Sequence, residues 1–203
     1  MKYDLVHTKR RMNTEEKDLQ WKVLKSEYLF NEPWLTVRRE IVELPNGNQI
    51  PSYYVLEYPD WVNVLAITKD QQFVFVKQYR HGLGSVNYEL CAGVCEKEDP
   101  SPLFSAQREL LEETGYGNGT WREYTKLSPN PSTHANITHC FLAQDVEKIG
   151  EQDLDDTEDI SVHLLSIDEV KALLANDAIK QALMTSVLWR YIAENNSLCH
   201  ECP

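Results

Sequence analysis

Residues 93–116 read Gly93-Val94-Cys95-Glu96-Lys97-Glu98-Asp99-Pro100-Ser101-Pro102-Leu103-Phe104-Ser105-Ala106-Gln107-Arg108-Glu109-Leu110-Leu111-Glu112-Glu113-Thr114-Gly115-Tyr116, and they say more about this chain than any other segment. Ser101 and Pro102 predict a helix start, because serine caps helices and proline suits the first helical position. Gly115 predicts the helix end. Between them, one apolar stripe is predicted to face the core: Leu103, Ala106 and Leu110.

A second face of the same helix carries three carboxylates. Glu109, Glu112 and Glu113 stand three and four positions apart, so their side chains crowd together. An acidic run is usually a solvated face, and Glu112-Glu113 alone would be interpreted that way. Three like charges at this spacing repel one another unless a cation lies among them. Mg²⁺ takes oxygen ligands and bridges to phosphates, so the wider pattern predicts a divalent-metal site.

The whole stretch resembles the Nudix box, the signature of a family that hydrolyses nucleoside diphosphates linked to another moiety. Gly93, Arg108 and Gly115 match positions of the motif, and Arg108 is expected to orient the glutamates by ion pairing. Gly93 and Arg108 are fifteen positions apart, one more than in the usual box. The extra residue falls in the loop before the helix, where Glu98 is preferred to Asp99 as the loop acid.

The composition limits the partners of the chain. Its 203 residues carry 20 basic and 32 acidic side chains, and the formal net charge of −12 disfavours binding to DNA or RNA. The first residues contain no apolar run suited to a signal peptide, and no segment has the length needed to span a bilayer. Five scattered cysteines fit a reducing compartment, so a cytoplasmic location is expected. The segment Cys199-His200-Glu201-Cys202 is interpreted as a disordered tail.

Hydrophobic periodicity divides the chain into two regions. Residues 1–57 are predicted to form a loose arm and an antiparallel hairpin domain, with a turn at Pro45-Asn46-Gly47-Asn48. Residues 58–203 are predicted to form the catalytic domain, in which Phe73-Val74-Phe75-Val76 is covered on both faces. Other predicted elements are strands at 61–68, 87–92, 122–127, 136–142 and 160–165, and helices at 167–175 and 178–193. The resemblance implies an α/β fold, the Nudix α/β/α sandwich with a mixed sheet, plus a small N-terminal antiparallel β domain.

The flanks of the box resemble one branch of that family, the ADP-ribose pyrophosphatases. Arg80, in Gln78-Tyr79-Arg80, matches the arginine that binds substrate phosphate in this branch. The segment Tyr88-Glu89-Leu90-Cys91-Ala92-Gly93 matches its Glu-Leu-Pro-Ala-Gly sequence, except that Cys91 replaces the proline. The resemblance makes the Ala92 carbonyl a metal ligand, which the flexible Cys91 is expected to hold less firmly. Pro131 matches a proline of related hydrolases, and an ordinary proline-rich loop is the alternative.

An acidic run at 151–159 resembles the loop that carries the final metal ligand and the catalytic carboxylate in this branch. Glu158 is assigned as metal ligand and base, with Asp156 as the alternative base and Glu109 as the next candidate. The resemblance also implies that the N-terminal domain makes a homodimer, with Trp34 as a candidate to stack on adenine. The complete set of expected metal ligands is Ala92, Glu109, Glu112, Glu113 and Glu158.

The function implied is Mg²⁺-dependent hydrolysis of the pyrophosphate bond of ADP-ribose or a related ADP-sugar, giving AMP and a sugar phosphate, with Mn²⁺ as the alternative ion. Another nucleotide sugar, such as GDP-mannose, is the alternative substrate. A ligand-sensing module without catalysis is a third interpretation. That class of protein would show eroded glutamates and an appended basic helix-turn-helix, and the sequence shows neither.

Overall fold

The computed structural model describes residues 19–196. The predicted arm before residue 19 and the tail at 199–202 lie outside the described residues. The described chain separates into two compact units, one formed by residues 19–58 with 132–135 and the other by residues 59–131 with 136–196. Within residues 19–196, no helix has the length and apolar character needed to cross a lipid bilayer.

The first unit contains a three-stranded antiparallel sheet in the order β1-β2-β3. Its strands are β1 (Lys22–Glu32), β2 (Leu35–Glu43) and β3 (Gln49–Glu57). The turn predicted between β2 and β3 is confirmed, because Gly47 has a φ of +83° and its N–H donates to the Leu44 carbonyl at 2.9 Å. A positive φ costs glycine nothing, which explains why the chain reverses here.

A short segment from far along the chain joins this first unit. The Leu56 N–H of β3 donates to the Thr133 carbonyl at 2.7 Å, and the Leu56 carbonyl accepts from the Ala135 N–H at 3.0 Å. The Tyr53 hydroxyl donates to the carbonyl of Ser132. The segment therefore pairs with β3 as one parallel bridge, a long-range contact that hydrophobic periodicity does not indicate.

The second unit contains an eight-stranded mixed sheet. Its strands are β4 (Trp61–Thr68), β5 (Phe73–Arg80), β6 (Ser85–Glu89), β7 (Cys91–Val94), β8 (Tyr116–Gly117), β9 (Thr120–Leu127), β10 (Thr138–Lys148) and β11 (Ile160–Leu165). The main order is β11-β5-β4-β10-β8, while β6 pairs with β5, β7 with β4 and β9 with β10. β4 and β10 run parallel at the centre, and the other pairs are antiparallel.

Helices cover both faces of this sheet: α1 (Pro102–Thr114), α2 (Ile167–Ala175) and α3 (Ala182–Asn196). Ala106 and Leu110 of α1 join Val64 of β4 in one buried cluster. Leu65 of β4 belongs to a second cluster that contains buried side chains of α2 and α3. Because successive strand residues point to opposite faces, α1 lies on one side of the sheet and α2 and α3 lie on the other. The predicted α/β/α sandwich with a mixed sheet and an N-terminal antiparallel sheet is confirmed.

The boundaries of several predicted elements differ from the structure: the strand predicted at 136–142 is Thr138–Lys148, and the strand predicted at 122–127 begins at Thr120. The strand predicted at 87–92 is divided at Leu90 into β6 and β7, which pair with β5 and β4 respectively. Periodicity reports burial and not the partner strand, so it cannot reveal this switch. The last helix begins at Ala182 and not at 178, and the Gln181 side chain accepts the Leu183 N–H at 3.1 Å at its start. The prediction for β5 is confirmed, since residues 73–76 are all buried.

Candidate active site

Both predicted ends of α1 are confirmed. The Ser101 hydroxyl accepts the Phe104 N–H at 3.2 Å, which makes Ser101 the N-cap, and Pro102 is the first helical residue. Gly115 ends the helix with a φ of +73°. The predicted apolar stripe is wrong at Leu103, which is exposed because it lies in the first turn, before the buried part of the helix begins at 105.

Arg108 stands at the centre of the charged groups of the box. Its guanidinium contacts Glu112 at 2.8 Å, Glu109 at 3.1 Å and Asp99 at 3.2 Å, and Nη2 donates to the Val94 carbonyl at 3.1 Å. Hydrogen bonds and charges from these three carboxylates raise the pKa of Arg108 although burial opposes the shift. The guanidinium therefore holds the loop to the helix and fixes the glutamate next to it.

The loop acid is Asp99, and the preference for Glu98 was wrong. The Asp99 side chain is 6% exposed, accepts the Glu96 N–H at 3.2 Å and pairs with Arg108. Glu98 is exposed on the outside of the same turn.

Gly93 leaves room for the carboxylate of Glu109. A side chain at position 93 would overlap this carboxylate and displace it, so glycine allows the close approach of Glu109 and is not needed for an unusual φ. The Val94 N–H donates to Glu109 Oε1 at 3.2 Å. Burial raises the pKa of Glu109, and the neighbouring Arg108 opposes the shift. Strand β7 and helix α1 thus fix the position of the Glu109 carboxylate, and Gly93 has no side chain to occupy the same space.

Glu113 is the most buried carboxylate of the box. Its residue is 4% exposed, and its Oε2 accepts the Ala92 N–H at 3.3 Å. Burial raises the pKa of Glu113 to about 8, and the charges of Glu109 and Glu158 raise it as well, while hydrogen bonds from Cys91 and Ala92 oppose the shift. Glu113 is therefore buried and not solvated, because the end of α1 packs directly against β7.

Cys91, in the place of the expected proline, is completely buried in β7. It lies opposite Val64 of β4, and Ala92 lies opposite Asn63 in the same ladder. Burial and the charge of Glu113 raise the pKa of Cys91. Pairing with β4 holds the backbone of β7 in place here, a task that the rigid ring of a proline would otherwise perform. The Cys91 thiol also donates a hydrogen bond to Glu113, which a proline cannot do.

Arg80 lies at the end of β5 and forms a bidentate pair with Glu89 of β6. Nε and Nη2 of Arg80 approach the Glu89 carboxylate at 2.9 and 2.6 Å, and the Glu89 side chain is 5% exposed. The hydrogen bonds that Arg80 donates to Glu89 raise the pKa of Arg80, with smaller contributions from the charges of Glu113 and Glu158. Arg80 was predicted from the sequence to bind phosphate, but its pairing with Glu89, which lies in the segment 88–93, was not predicted.

The acidic loop before β11 approaches the same group. Glu158 and Asp156 are exposed, and Glu158 Oε2 accepts the Asp155 N–H at 3.1 Å. The Asp153 N–H of the same loop donates to the Glu112 carbonyl at 2.9 Å, which holds the loop at the end of α1, and the charge of Glu158 contributes to the raised pKa values of Glu113 and Arg80. Which of Glu158 and Asp156 acts as the base stays a prediction.

Trp34 and Pro131 were predicted to bind substrate, and both predictions stay open. Trp34 ends the β1–β2 turn with a φ of +65° and is 74% exposed. This conformation is costly for a large side chain and, after Pro33, has the form of a turn that usually takes glycine. Pro131 is exposed at the end of the loop that follows β9.

The donor set fits a hard divalent cation. Residues 19–196 contain no group of three side chains already arranged around a metal position. Glu109 and Glu112 contact the guanidinium of Arg108, which compensates part of their negative charge. Burial raises the pKa of Glu113, so a cation bound beside it would favour the ionised form of this carboxylate. Carboxylate and carbonyl oxygens are the ligands that Mg²⁺ and Mn²⁺ accept.

Comparison with known families agrees with this geometry. Residues 58–186 match the model of the NUDIX domain, and residues 21–56 match that of the nucleoside diphosphate sugar hydrolase N-terminal domain. The chain therefore belongs to the Nudix family, and it is a Nudix hydrolase of the ADP-ribose pyrophosphatase-like branch. Nudix hydrolases generally depend on a divalent metal ion.

Three similar proteins extend this result. An ADP-ribose pyrophosphatase of Bacillus subtilis is 31% identical over 167 residues, which cover 82% of this chain and 89% of that protein. A methanol dehydrogenase activator of Bacillus methanolicus is 30% identical over 181 residues, covering 89% of this chain and 96% of that protein. The crystal structure of an ADP compounds hydrolase has the same fold, with a TM-score of 0.75, 23% identity and coverage of 88% of this chain and 97% of the other.

Proposed function

We propose that this protein hydrolyses the pyrophosphate bond of ADP-ribose or a related ADP-sugar and releases AMP and a sugar phosphate. The main support is one arrangement, in which Glu113 of α1 is buried against β7, the Asp153 N–H ties the acidic loop to the Glu112 carbonyl, and the charges of Glu113 and Glu158 act on the cationic Arg80. A pyrophosphate needs charge neutralisation, an oriented water and a base, and these groups can provide all three. The Bacillus subtilis relative is named for this substrate, and the N-terminal match is to nucleoside diphosphate sugar hydrolases.

Each side chain has a separate task in this proposal. Glu109, Glu112, Glu113 and Glu158, with the Ala92 carbonyl, would hold Mg²⁺, with Mn²⁺ as the alternative. When bound, the metal neutralises phosphate charge and makes water a better nucleophile. The Arg80–Glu89 pair uses Nε and Nη2, so Nη1 is left to bind a phosphate oxygen.

A carboxylate of the acidic loop is proposed to accept the proton of the attacking water. Glu158 is exposed on a loop that is hydrogen-bonded to the end of α1, so it can reach a water that the box glutamates do not surround. A carboxylate committed to a cation is a poor proton acceptor, which favours a base from outside the box. Asp156 is the alternative base, and Glu109 is the next candidate.

The test is a panel of substrates assayed with purified protein and Mg²⁺, with the nucleoside monophosphate and sugar phosphate identified separately. ADP-ribose and ADP-glucose are expected to be hydrolysed faster than GDP-mannose. A Glu112→Gln variant and a chelator control remove metal-dependent turnover. A preference for GDP-mannose would assign a GDP-sugar as the substrate. The absence of hydrolysis of every compound in the panel would overturn the proposal.

We also propose a homodimer formed through the N-terminal sheet and a cytoplasmic location. Support for the dimer comes from the large apolar side chains that this sheet exposes, among them Tyr28, Phe30, Trp34 and Leu35. Such a patch on a soluble unit usually marks an interaction surface. The acidic surface supports the absence of nucleic-acid partners.

A further inference from the structure

The amide of Gln152 connects three pieces of backbone at the edge of the active site. Its Nε2 donates to the Glu113 carbonyl at 2.7 Å and to the Ile160 carbonyl at 3.1 Å. A side-chain amide nitrogen carries two N–H donors, so one carbonyl can accept each of them. Because both partners are carbonyl oxygens, the nitrogen and not the oxygen of the amide has to face them.

These bonds join both ends of the acidic loop to the box helix. Glu113 is the penultimate residue of α1, and Ile160 is the first residue of β11, two positions after Glu158. At the other end of the loop, the Asp153 N–H donates to the Glu112 carbonyl at 2.9 Å. The segment 153–159 is therefore a short closed loop whose two ends are held at the backbone of the two adjacent box glutamates.

The residue type at 152 suits this task in a way that its neighbours do not. Six of the nine residues at 151–159 are acidic, and Gln152 is a neutral amide among them. A carboxylate at this position would have no donor and would face two carbonyl oxygens, so it would repel the contacts that glutamine makes. The acidic residues of this run were predicted from the sequence to be functional, whereas no role was predicted for Gln152.

We propose that Gln152 is a positioning residue, which sets the distance between the loop that carries Glu158 and the carboxylates of the box. This inference rests on the proposed function for its catalytic consequence, but the loop geometry itself can be tested without turnover. Groups that act together on one phosphate tolerate little displacement, and a shift of about 1 Å costs on the order of 100-fold in rate. Without the two Gln152 bonds, the loop keeps the Asp153 bond at one end and the pairing of Ile160 with Gln78 at the other, so the segment between them is expected to become looser and to displace Glu158.

The test compares Gln152→Met and Gln152→Glu with wild type. Methionine keeps the length of the side chain without donors, and glutamate adds a charge against the carbonyls. The matched control is Glu151→Ala, which removes an adjacent side chain that is 92% exposed and pairs with Lys148 at 3.4 Å. With ADP-ribose and saturating Mg²⁺, kcat is expected to fall roughly 10- to 100-fold in both Gln152 variants, with little change in KM. The control is expected to keep the wild-type kcat.

Hydrogen–deuterium exchange of the peptide that spans 150–161 provides the readout that does not depend on activity. The amides of Asp153 and Glu158 are hydrogen-bonded in the closed loop, so their exchange is expected to accelerate in both Gln152 variants and not in the control. Unchanged exchange with normal kcat would overturn the inference. Faster exchange with normal kcat would also overturn it, because the loop position would then be irrelevant to turnover. If wild type hydrolysed no nucleotide sugar, the proposed function would fail while the exchange result still decided whether Gln152 holds the loop.

Discussion

Glu113→Gln is expected to make the metal-free protein more stable above neutral pH and at the same time to remove most of its activity. The side chain is 4% exposed, and burial holds the pKa of Glu113 at about 8, against 4.5 for a free glutamate. The folded state therefore keeps a proton on this group over a pH range in which the unfolded state has lost it. Glutamine has a similar shape and no charge to bury, so it avoids the cost that glutamate incurs on ionising.

The sign and size of the effect follow from this difference in pKa. Because the folded pKa is raised, the stability associated with the protonated Glu113 is complete below about pH 4.5 and is lost as the pH rises toward 8. One pKa unit corresponds to about 1.4 kcal/mol, so between pH 5 and pH 8.5 the free energy of unfolding should fall by about 4 kcal/mol. A small protein has only about 5–15 kcal/mol in total, so the loss should be easy to measure.

The assay is urea unfolding in the presence of a chelator at a series of pH values. The wild-type curve is expected to fall with pH more steeply than that of Glu113→Gln, because the other titrating groups are shared by both proteins. Glu112→Gln is the matched control, since this neighbouring side chain is 39% exposed and pairs with Arg108. Saturating Mg²⁺ should restore wild type at pH 8.5 more than it restores Glu113→Gln. Parallel pH dependences for wild type and Glu113→Gln would refute the reasoning about burial.

Three other outcomes are expected. Glu158→Gln should lower kcat by about 100-fold or more with a smaller change in KM, and Asp156→Asn tests the alternative base; normal kcat in both variants would place the base elsewhere. Gly93→Ala should weaken Mg²⁺ binding in calorimetry, because a methyl group would overlap the Glu109 carboxylate, and an unchanged affinity would contradict that assignment. Light scattering at micromolar concentration should give a dimer, and the 23.5 kDa mass of a single chain would rule out dimerisation by the N-terminal sheet.

The local features of the box could be predicted from the sequence because short-range chemistry determines them. Ser101, Pro102 and Gly115 act through their own backbone preferences, and these hold wherever the helix packs. The spacing of Glu109, Glu112 and Glu113 likewise follows from the helical period alone. The continuous apolar run of β5 predicted correctly that both faces of this strand are covered.

The environment of each of those side chains depended on contacts between distant segments. Glu113 and Glu112 are adjacent and chemically identical, yet only Glu113 is buried, because β7 and the Ala92 N–H lie on one side of the helix. The sequence does not distinguish Asp99 from Glu98 as the loop acid, because the difference is which side chain contacts Arg108 in the folded loop.

Gln152 shows the same limit more strongly. Its two acceptors are Glu113 and Ile160, one 39 positions earlier and the other 8 positions later in the chain. A period or a motif describes neighbours along the chain, so it can predict that α1 forms and that its glutamates share a face. Burial, pKa and the closure of the acidic loop are set by which backbone groups meet in space, and tertiary structure alone decides those meetings.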